Sequence, residues 1–258
     1  ILGTVAGGLL LTAAGPRPWV AGAVLTALAV LGLLAALRLP SVAPSGGGER
    51  FAGAFGGAWR TLRADRMLWL ATLGSVAFWG LASLLGQDVL VYGKQVLQFS
   101  DELAGLPYAL FAIGVGTGSL LAGRVSKGKV ETGLIPLGAV LLAVATLAMG
   151  LLVPGRAGTF LLMTALGVAS GFVVVPLNAL VQWRAPAARR GAIIALVNML
   201  AFGGILAGNL GCLGLSRLGM DSAAILVVAA AMTFAATLWA IWLLPVALLR
   251  LCVVLLTH

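Results

Sequence analysis

Eight apolar segments follow one another along the chain, most of them close to the length that an α-helix needs to cross a bilayer. A membrane-spanning helix takes about 20 residues, and it satisfies its backbone hydrogen bonds within itself, as the hydrocarbon core requires. Only 9% of the residues are charged, against roughly a quarter in a soluble domain. The sequence therefore predicts an all-α, polytopic membrane protein with eight transmembrane helices. The segments run approximately over residues 1–14, 18–38, 67–86, 103–123, 131–153, 158–182, 191–213 and 222–244.

The basic residues lie in short turns between the apolar segments rather than on one soluble face. The formal net charge of +9 would suggest a nucleic-acid partner only if the cations clustered on such a face, so no nucleic acid is expected. Counted by alternate turns, twelve of the sixteen Lys and Arg residues fall on one side of the membrane. The other four are Arg17, Lys94, Arg156 and Arg217. Because Lys and Arg concentrate in cytoplasmic loops, the rich side, which includes the C-terminus, is predicted to be cytoplasmic.

The sequence contains no pattern of residues typical of a catalytic or metal site. Its one histidine is His258, and its two cysteines, Cys212 and Cys252, lack CxxC spacing. We therefore expect no metal, no other cofactor and no enzymatic activity from this chain. Glycines four residues apart, such as Gly114 and Gly118, lie within apolar segments, where this spacing is typical of close helix packing.

The longest polar connection, residues 39–66, divides the chain into two groups of helices. It begins with a flexible stretch rich in Pro, Gly and Ser. From Phe51 onward, aromatic residues alternate with arginines in a pattern typical of a short amphipathic helix on the membrane surface. The predicted organisation is two helices over 1–38, this cytoplasmic linker, and a six-helix bundle over 67–244. Residues 245–258 are predicted to begin a downstream segment, and the start within an apolar run suggests a fragment of a longer chain.

Three amide side chains interrupt apolar segments where hydrocarbon is expected. Asn178 and Gln182 lie four residues apart, and hence on one helix face, shortly after Pro176, and Asn198 lies in the next segment. Polar side chains at membrane depth face a bundle interior, a partner or a water-filled path. The amides are therefore candidates for a substrate path. The alternative is that they form hydrogen bonds that hold neighbouring helices together.

A second polar group, Gln87, Asp88 and Tyr92, lies at the outer end of the third segment. Asp88 is the only acid that could lie within a span, and the spacing of four places it over Tyr92 on a helix. Two interpretations of Asp88 are open. It is either a helix-end residue in contact with external water, or a contact for a zwitterionic substrate or a coupling cation.

A short basic turn on the cytoplasmic side contains Arg124, Lys127 and Lys129, followed by Glu131. Such a turn fixes the topology of the helices that flank it. It is also a candidate gating turn, one that would latch helices between inward- and outward-open states.

Two stretches, VVVPLNALVQ at 173–182 and RRGAIIALVNMLAFGG at 189–204, closely resemble bacterial lysophospholipid transporters of the major facilitator superfamily. The resemblance covers residues 1–244, including FWG at 78–80. It implies a twelve-helix fold in two halves, of which this chain would hold the last two helices of the first half and all of the second. It also implies that lysophospholipids, chiefly lysophosphatidylethanolamine, cross the bacterial inner membrane by alternating access. The implied partners are the lysophospholipid, the membrane lipids and an acyltransferase domain or protein that re-esterifies the substrate.

The chain departs from the stand-alone members of that family in its seventh helix. Those members place a basic residue there, whereas LASLLGQDVLVYGK at 81–94 has Gln87 and Asp88. This variant, GRVSKGKVETGLIPLGA at 123–139 and the tail at 244–258 resemble the branch in which an acyltransferase is fused to the transporter. Two alternatives remain: a drug or metabolite exporter of the same superfamily, and a membrane anchor for a fused acyltransferase. A pure anchor would not require amides within its spans.

Overall fold

The computed structural model describes most of the chain, and within the described residues it consists of helices joined by short connections, with no β-strand. The described residues are Leu10, Gly15 and the ranges 18–39, 51–99, 106–126 and 131–243. The predictions for segment 1–14, the start of the linker, Lys127, Lys129 and residues 245–258 therefore fall outside the described residues, except at Leu10.

Eight α-helices are formed by the described residues, and all but the second are long and apolar enough to cross a membrane. The predicted all-α, polytopic class is therefore confirmed, with seven candidate spans among the described helices. A three-residue 3-10 helix, Ala187–Arg189, precedes the seventh helix. The helices are α1 (Pro18–Leu37), α2 (Phe51–Ala64), α3 (Arg66–Gln95), α4 (Leu106–Ser126), α5 (Leu134–Leu152), α6 (Arg156–Arg184), α7 (Arg190–Arg217) and α8 (Ser222–Leu243).

The helix α3 extends nine residues beyond the predicted end of its apolar segment at residue 86, to Gln95. The polar pair Gln87 and Asp88 does not interrupt it, because the Asp88 carboxylate is hydrogen-bonded to a neighbouring helix. Val89 and Tyr92, in the turn that follows, are buried. Tertiary contacts therefore continue a helix that hydropathy alone predicts to end earlier.

Two pairs of helices, α4 with α6 and α3 with α7, approach each other backbone to backbone. At each contact a methyl group in place of a glycine hydrogen would overlap backbone atoms of the opposite helix. The packing predicted from four-residue glycine spacing is confirmed at these contacts, where only glycine permits such an approach. The glycines are Gly114, Gly118, Gly167 and Gly171 between α4 and α6, and Gly204 and Gly208 on α7 against α3.

The short helix α2 packs on the bundle where α3 and α7 begin. Its Ala58 and Leu62 are fully buried, in one cluster with residues of α3, α6 and α7. The Arg189 guanidinium donates a hydrogen bond to the Gly57 carbonyl at 3.4 Å. α2 is therefore fixed to the bundle on its apolar side, where small residues let the helices approach.

Asp65 joins three elements at the junction of α2 and α3. Its Oδ1 caps α3 by accepting hydrogen bonds from the N–H groups of Met67 and Leu68, at 2.9 and 3.1 Å. Its Oδ2 pairs with the Arg184 guanidinium, at the end of α6, at 2.7 Å. Partial burial acts to raise the pKa of Asp65, but the Leu68 N–H, Arg184 and the Met67 N–H together bring that pKa below its usual value. The carboxylate therefore keeps its charge at neutral pH.

The two ends of the bundle differ in charge. Among the described residues from α2 to α8, the end at which α3 and α7 begin, called the basic end below, has seven arginines and two acids. They are Arg60, Arg63, Arg66, Arg124, Arg184, Arg189 and Arg190, with Asp65 and Glu131. The opposite end has Lys94, Arg156, Arg217 and Asp221, with Asp88 buried nearby. The helices thus separate the charges as the alternate-turn count predicts, while the orientation in the membrane stays a prediction.

The glycine contacts predict a sharp difference between two neighbouring positions of α4. Replacing Gly118 with Ala should lower the stability of the protein by about 1–3 kcal/mol, because the new methyl group overlaps the Val168 carbonyl and forces α4 from α6. Gly116 has open space beside it. Gly116→Ala should be neutral or stabilising by up to about 1 kcal/mol. The thermal midpoints of the purified variants measure this, and equal midpoints would contradict the proposed close contact.

Candidate functional site

An apolar cavity of about 560 Å³ lies among the helices α3 to α8. Its volume is within the range of about 300–1,000 Å³ that is usual for ligand pockets. Within the described ranges, no Asp, Glu, Lys, Arg or His lines it, and aromatic and aliphatic side chains dominate the wall. Among them are Phe78, Leu85, Phe111, Leu142, Leu166 and Leu177. The cavity is therefore suited to an apolar ligand or to the apolar part of a larger one.

The hydroxyl groups in the cavity wall already donate hydrogen bonds to the protein. Thr233, Thr237 and Ser170 each donate to the carbonyl four residues earlier in their own helix, at 2.7–2.8 Å. The Tyr108 hydroxyl donates to the Gly86 carbonyl across the α3–α4 interface. Since their protons are committed in this way, these side chains offer a ligand no free O–H donor.

One polar pair at the cavity joins two helices. The Ser83 hydroxyl, which lines the cavity from α3, donates to the Asn209 Oδ1 on α7 at 2.8 Å. Sequence reasoning missed both residues. Asn209 could have been found in the sequence by its position next to Gly208, which is four residues after Gly204. In the structure, the backbone of α3 comes close at Gly208. The pair places an amide next to an otherwise apolar wall.

Asp88 is buried, with 1% of its surface exposed. The interpretation of Asp88 as a helix-end residue in contact with external water is therefore wrong. The Ser222 hydroxyl, at the start of α8, donates to Asp88 Oδ2 at 2.7 Å. The neighbours of Asp88 on α3, Leu85 and Val89, line the cavity, so the carboxylate lies behind the cavity wall. It joins α3 to α8 at the end opposite the basic end.

Tyr92 is completely buried one turn beyond Asp88. It packs with Met149 of α5 and Leu166 of α6 in one apolar cluster. Its hydroxyl makes no hydrogen bond within the described part of the chain, although it lies near Thr159 of α6. Gln87, by contrast, is exposed on the bundle surface. The structure thus separates Gln87 from the buried pair of Asp88 and Tyr92.

The three amides of the predicted path, Asn178, Gln182 and Asn198, are exposed on the surface of the described bundle. None of them makes a hydrogen bond to another described residue. Their helix faces continue the cavity wall: Val174, one turn before Asn178, and Ile205, two turns after Asn198, both line the cavity. Hydrogen bonding between helices of the described bundle therefore does not account for these amides.

The candidate residues form two groups near opposite ends of the bundle. Arg66 and Arg184 lie at one level, since Asp65 pairs with Arg184. An α-helix rises 1.5 Å per residue, so Asn178 lies roughly 9 Å from this level and Gln87 lies roughly 30 Å from it. Asn178 and Gln87 are therefore about 20 Å apart along the helix axes. If one substrate path contacts both groups, as the sequence analysis predicts, that path must be about 20 Å long.

The predicted gating turn is only partly described. Arg124 is exposed at the end of α4 and belongs to the basic end. Lys127 and Lys129 lie outside the described residues. The gating role of this turn stays a prediction.

A bundle of long apolar helices around a cavity, with charge concentrated at one end, defines the class as a multi-pass membrane protein. Residues 1–209 match the family model described as Major Facilitator Superfamily. The chain therefore belongs to the major facilitator superfamily, a family of transporters rather than enzymes. Comparison with curated proteins and with solved structures finds no match.

Because Asp88 is buried, we expect the Ser222 hydroxyl that donates to it to stabilise the folded protein. Ser222→Ala should lower stability by about 1–3 kcal/mol, because a buried carboxylate oxygen loses its partner. Ser216→Ala is the matched control, since the Ser216 hydroxyl donates to the Cys212 carbonyl in its own helix. It should change stability little. Thermal midpoints of the two variants give the comparison, and equal losses would argue against a special role for Ser222.

Proposed function

We propose that this protein moves lysophospholipids of the lysophosphatidylethanolamine type across the bacterial inner membrane for re-acylation, by alternating access. Membership of the major facilitator superfamily supports transport. The resemblance at 173–182 and 189–204 to lysophospholipid transporters supports the substrate class. An acyltransferase, fused or separate, is the proposed partner that uses the transported lipid.

The apolar cavity is the observation that carries the proposal. A lysophospholipid has a single acyl chain, which needs apolar surroundings and no polar partner. The cavity offers about 560 Å³, no charged side chain of the described residues lines it, and its hydroxyl protons are bonded to the protein. A polar metabolite would leave its own hydrogen-bonding groups unpaired there, at a cost of about 1–3 kcal/mol each.

The exposed amides are the proposed contacts of the headgroup. Asn178 and Asn198 lie on faces that continue the cavity wall toward the basic end, and Gln182 extends the first of these faces by one turn. Amides offer both donors and acceptors, which suits a zwitterionic phosphate and ammonium headgroup. A lipid with its chain in the cavity and its headgroup at these amides would keep both parts in suitable surroundings.

The charge distribution supports the proposed orientation. We place the basic end in the cytoplasm, because seven of the described arginines lie there. The C-terminus is then also cytoplasmic, where an acyltransferase would meet its substrate.

Filling the cavity should slow lysophospholipid uptake. Ala236 of α8 lines the cavity, whereas its neighbour Ala235 is exposed on the same helix. In the full-length protein, Ala236→Phe should lower uptake of lysophosphatidylethanolamine by at least about fivefold, because the larger side chain occupies cavity volume that the acyl chain needs, and overlap of this kind costs about 1–3 kcal/mol. Ala235→Phe should transport normally. Uptake into proteoliposomes, per folded molecule, is the measurement.

Three results would contradict the assignment. Equal uptake by the Ala236→Phe and Ala235→Phe proteins would remove the cavity from the lipid route. Normal transport of an apolar drug without transport of any lysophospholipid would favour an exporter instead. Absence of all transport, with an acyltransferase held at the membrane, would favour the anchor.

The amides are tested separately. Replacing Asn178 and Gln182 together with Leu should lower uptake by about tenfold, because each hydrogen bond lost to a headgroup is worth about 0.5–1.5 kcal/mol. The thermal midpoint should stay unchanged, since neither amide bonds to a described residue. A lowered midpoint with normal uptake per folded molecule would instead assign both to helix packing.

A further inference from the structure

The apolar cavity extends along the helix axes. On α3 the residues that line it run from Gly74 to Val89, and on α6 they run from Met163 to Leu177. Because an α-helix rises about 1.5 Å per residue, the lining extends over roughly 20 Å on both helices. One acyl chain spans half of the hydrocarbon core of a bilayer, which is about 15 Å. The cavity is therefore long enough to hold a single acyl chain lengthwise.

A packed apolar cluster closes the cavity at the end away from the basic end. Val89, Met163 and Leu166 line the cavity and also belong to this cluster. The same cluster contains Tyr92 and Met149, which are completely buried and lie outside the cavity lining. Side chains thus continue behind the wall without a gap. We call this end, formed by Val89, Met163 and Leu166, the closed end.

Polar groups near the closed end are already bonded within the protein. The Tyr108 hydroxyl, which lines the cavity here, donates to the Gly86 carbonyl. The Asp88 carboxylate lies behind the wall and accepts a hydrogen bond from Ser222. The exposed Asn178, by contrast, lies toward the basic end. The closed end therefore suits the methyl end of an acyl chain, and the headgroup would lie at the other end of the cavity.

We propose that the closed end sets the length of the acyl chain that the protein transports, with Val89, Met163 and Leu166 as specificity-determining residues. This inference rests on the proposed function, because it places the chain of a lysophospholipid in the cavity. A chain that stops short of the closed end leaves contacts unmade, and each buried methylene group is worth about fourfold in affinity. A chain that is too long displaces the headgroup from the amides that are its proposed contacts.

Two leucines of α6 provide a matched pair of variants. Leu166 lines the closed end, and Leu177 lines the cavity about 16 Å away along the helix axis, toward the basic end. Both side chains are 4% exposed. Replacing either with Ala removes the same atoms from a buried position, so the two variants lose packing of the same kind. Only Leu166→Ala adds room where the methyl end of the chain would lie.

The experiment measures uptake by the full-length protein in proteoliposomes, per folded molecule. The substrates are lysophosphatidylethanolamines with lauroyl, myristoyl, palmitoyl or stearoyl chains, which differ only in length. The wild-type protein should prefer one length. Leu166→Ala should raise the ratio of stearoyl to myristoyl uptake by at least about fourfold, the equivalent of one methylene group. Leu177→Ala should leave this ratio at its wild-type value, whatever its effect on total uptake.

A glycine near the closed end allows the opposite change without overpacking. Gly86 lines the cavity, and the nearest atom to a methyl group there would be the Tyr108 hydroxyl oxygen, at 3.8 Å. Gly86→Ala should lower the stearoyl to myristoyl ratio by up to about fourfold, because the added methyl group shortens the available space. Gly116→Ala is the matched control, since Gly116 has open space beside it and lies outside the cavity lining. It should leave the ratio unchanged.

Equal uptake of all four lipids by the wild type would overturn the inference and leave the proposed transport intact. Equal changes of the ratio in the Leu166→Ala and Leu177→Ala proteins would also overturn it. Absence of uptake for every lipid would contradict the proposed function instead. The rise in thermal midpoint on adding each lipid to the protein in nanodiscs then decides the inference, because a ligand of the folded state stabilises it. A rise that depends on chain length and changes in Leu166→Ala supports the inference, and a rise independent of length overturns it.

Discussion

The backbone-to-backbone contact of α4 with α6 and of α3 with α7 is the interaction on which the rest of the bundle depends. In a bilayer, burial of apolar side chains does not drive helices together, because lipid tails are as apolar as leucine. Close van der Waals contact does, and Gly118 and Gly208 permit it by leaving no side chain between the backbones. The larger residues, such as Phe78 and Leu166, are left to face the space among the helices, where they line the cavity.

The same packing determines where polarity can exist inside the bundle. Hydroxyl groups in the cavity wall are satisfied by their own helices or by a neighbour, as Ser83 is by Asn209. The one acid buried in a described span, Asp88, lies behind the wall and is bonded to Ser222. The amides outside the cavity remain exposed. An apolar interior with amides beyond it fits a substrate that has a single acyl chain and a compact headgroup.

The basic end combines two physical roles. Its arginines orient the helices, since cations resist transfer across the membrane. The indole rings beside Arg63 and Arg184 also hold two of these cations in fixed positions on the bundle. A flexible basic loop would satisfy the first role, but only a docked helix such as α2 provides the second.

The sequence by itself determined the fold class, the number of apolar segments and the separation of charge between the two ends. It did so because a chain in hydrocarbon has few alternatives to a helix of about 20 residues. Four-residue glycine spacing also identified the faces that pack closely. The partners of polar side chains were decided only by the tertiary structure. Asp88 resembles a helix-end residue in sequence because its partner Ser222 lies 134 residues away, and Ser83 is 126 residues from Asn209. Six helices contribute to the cavity. Periodicity along one helix shows which residues share a face, but it contains no information about which other helix that face will meet.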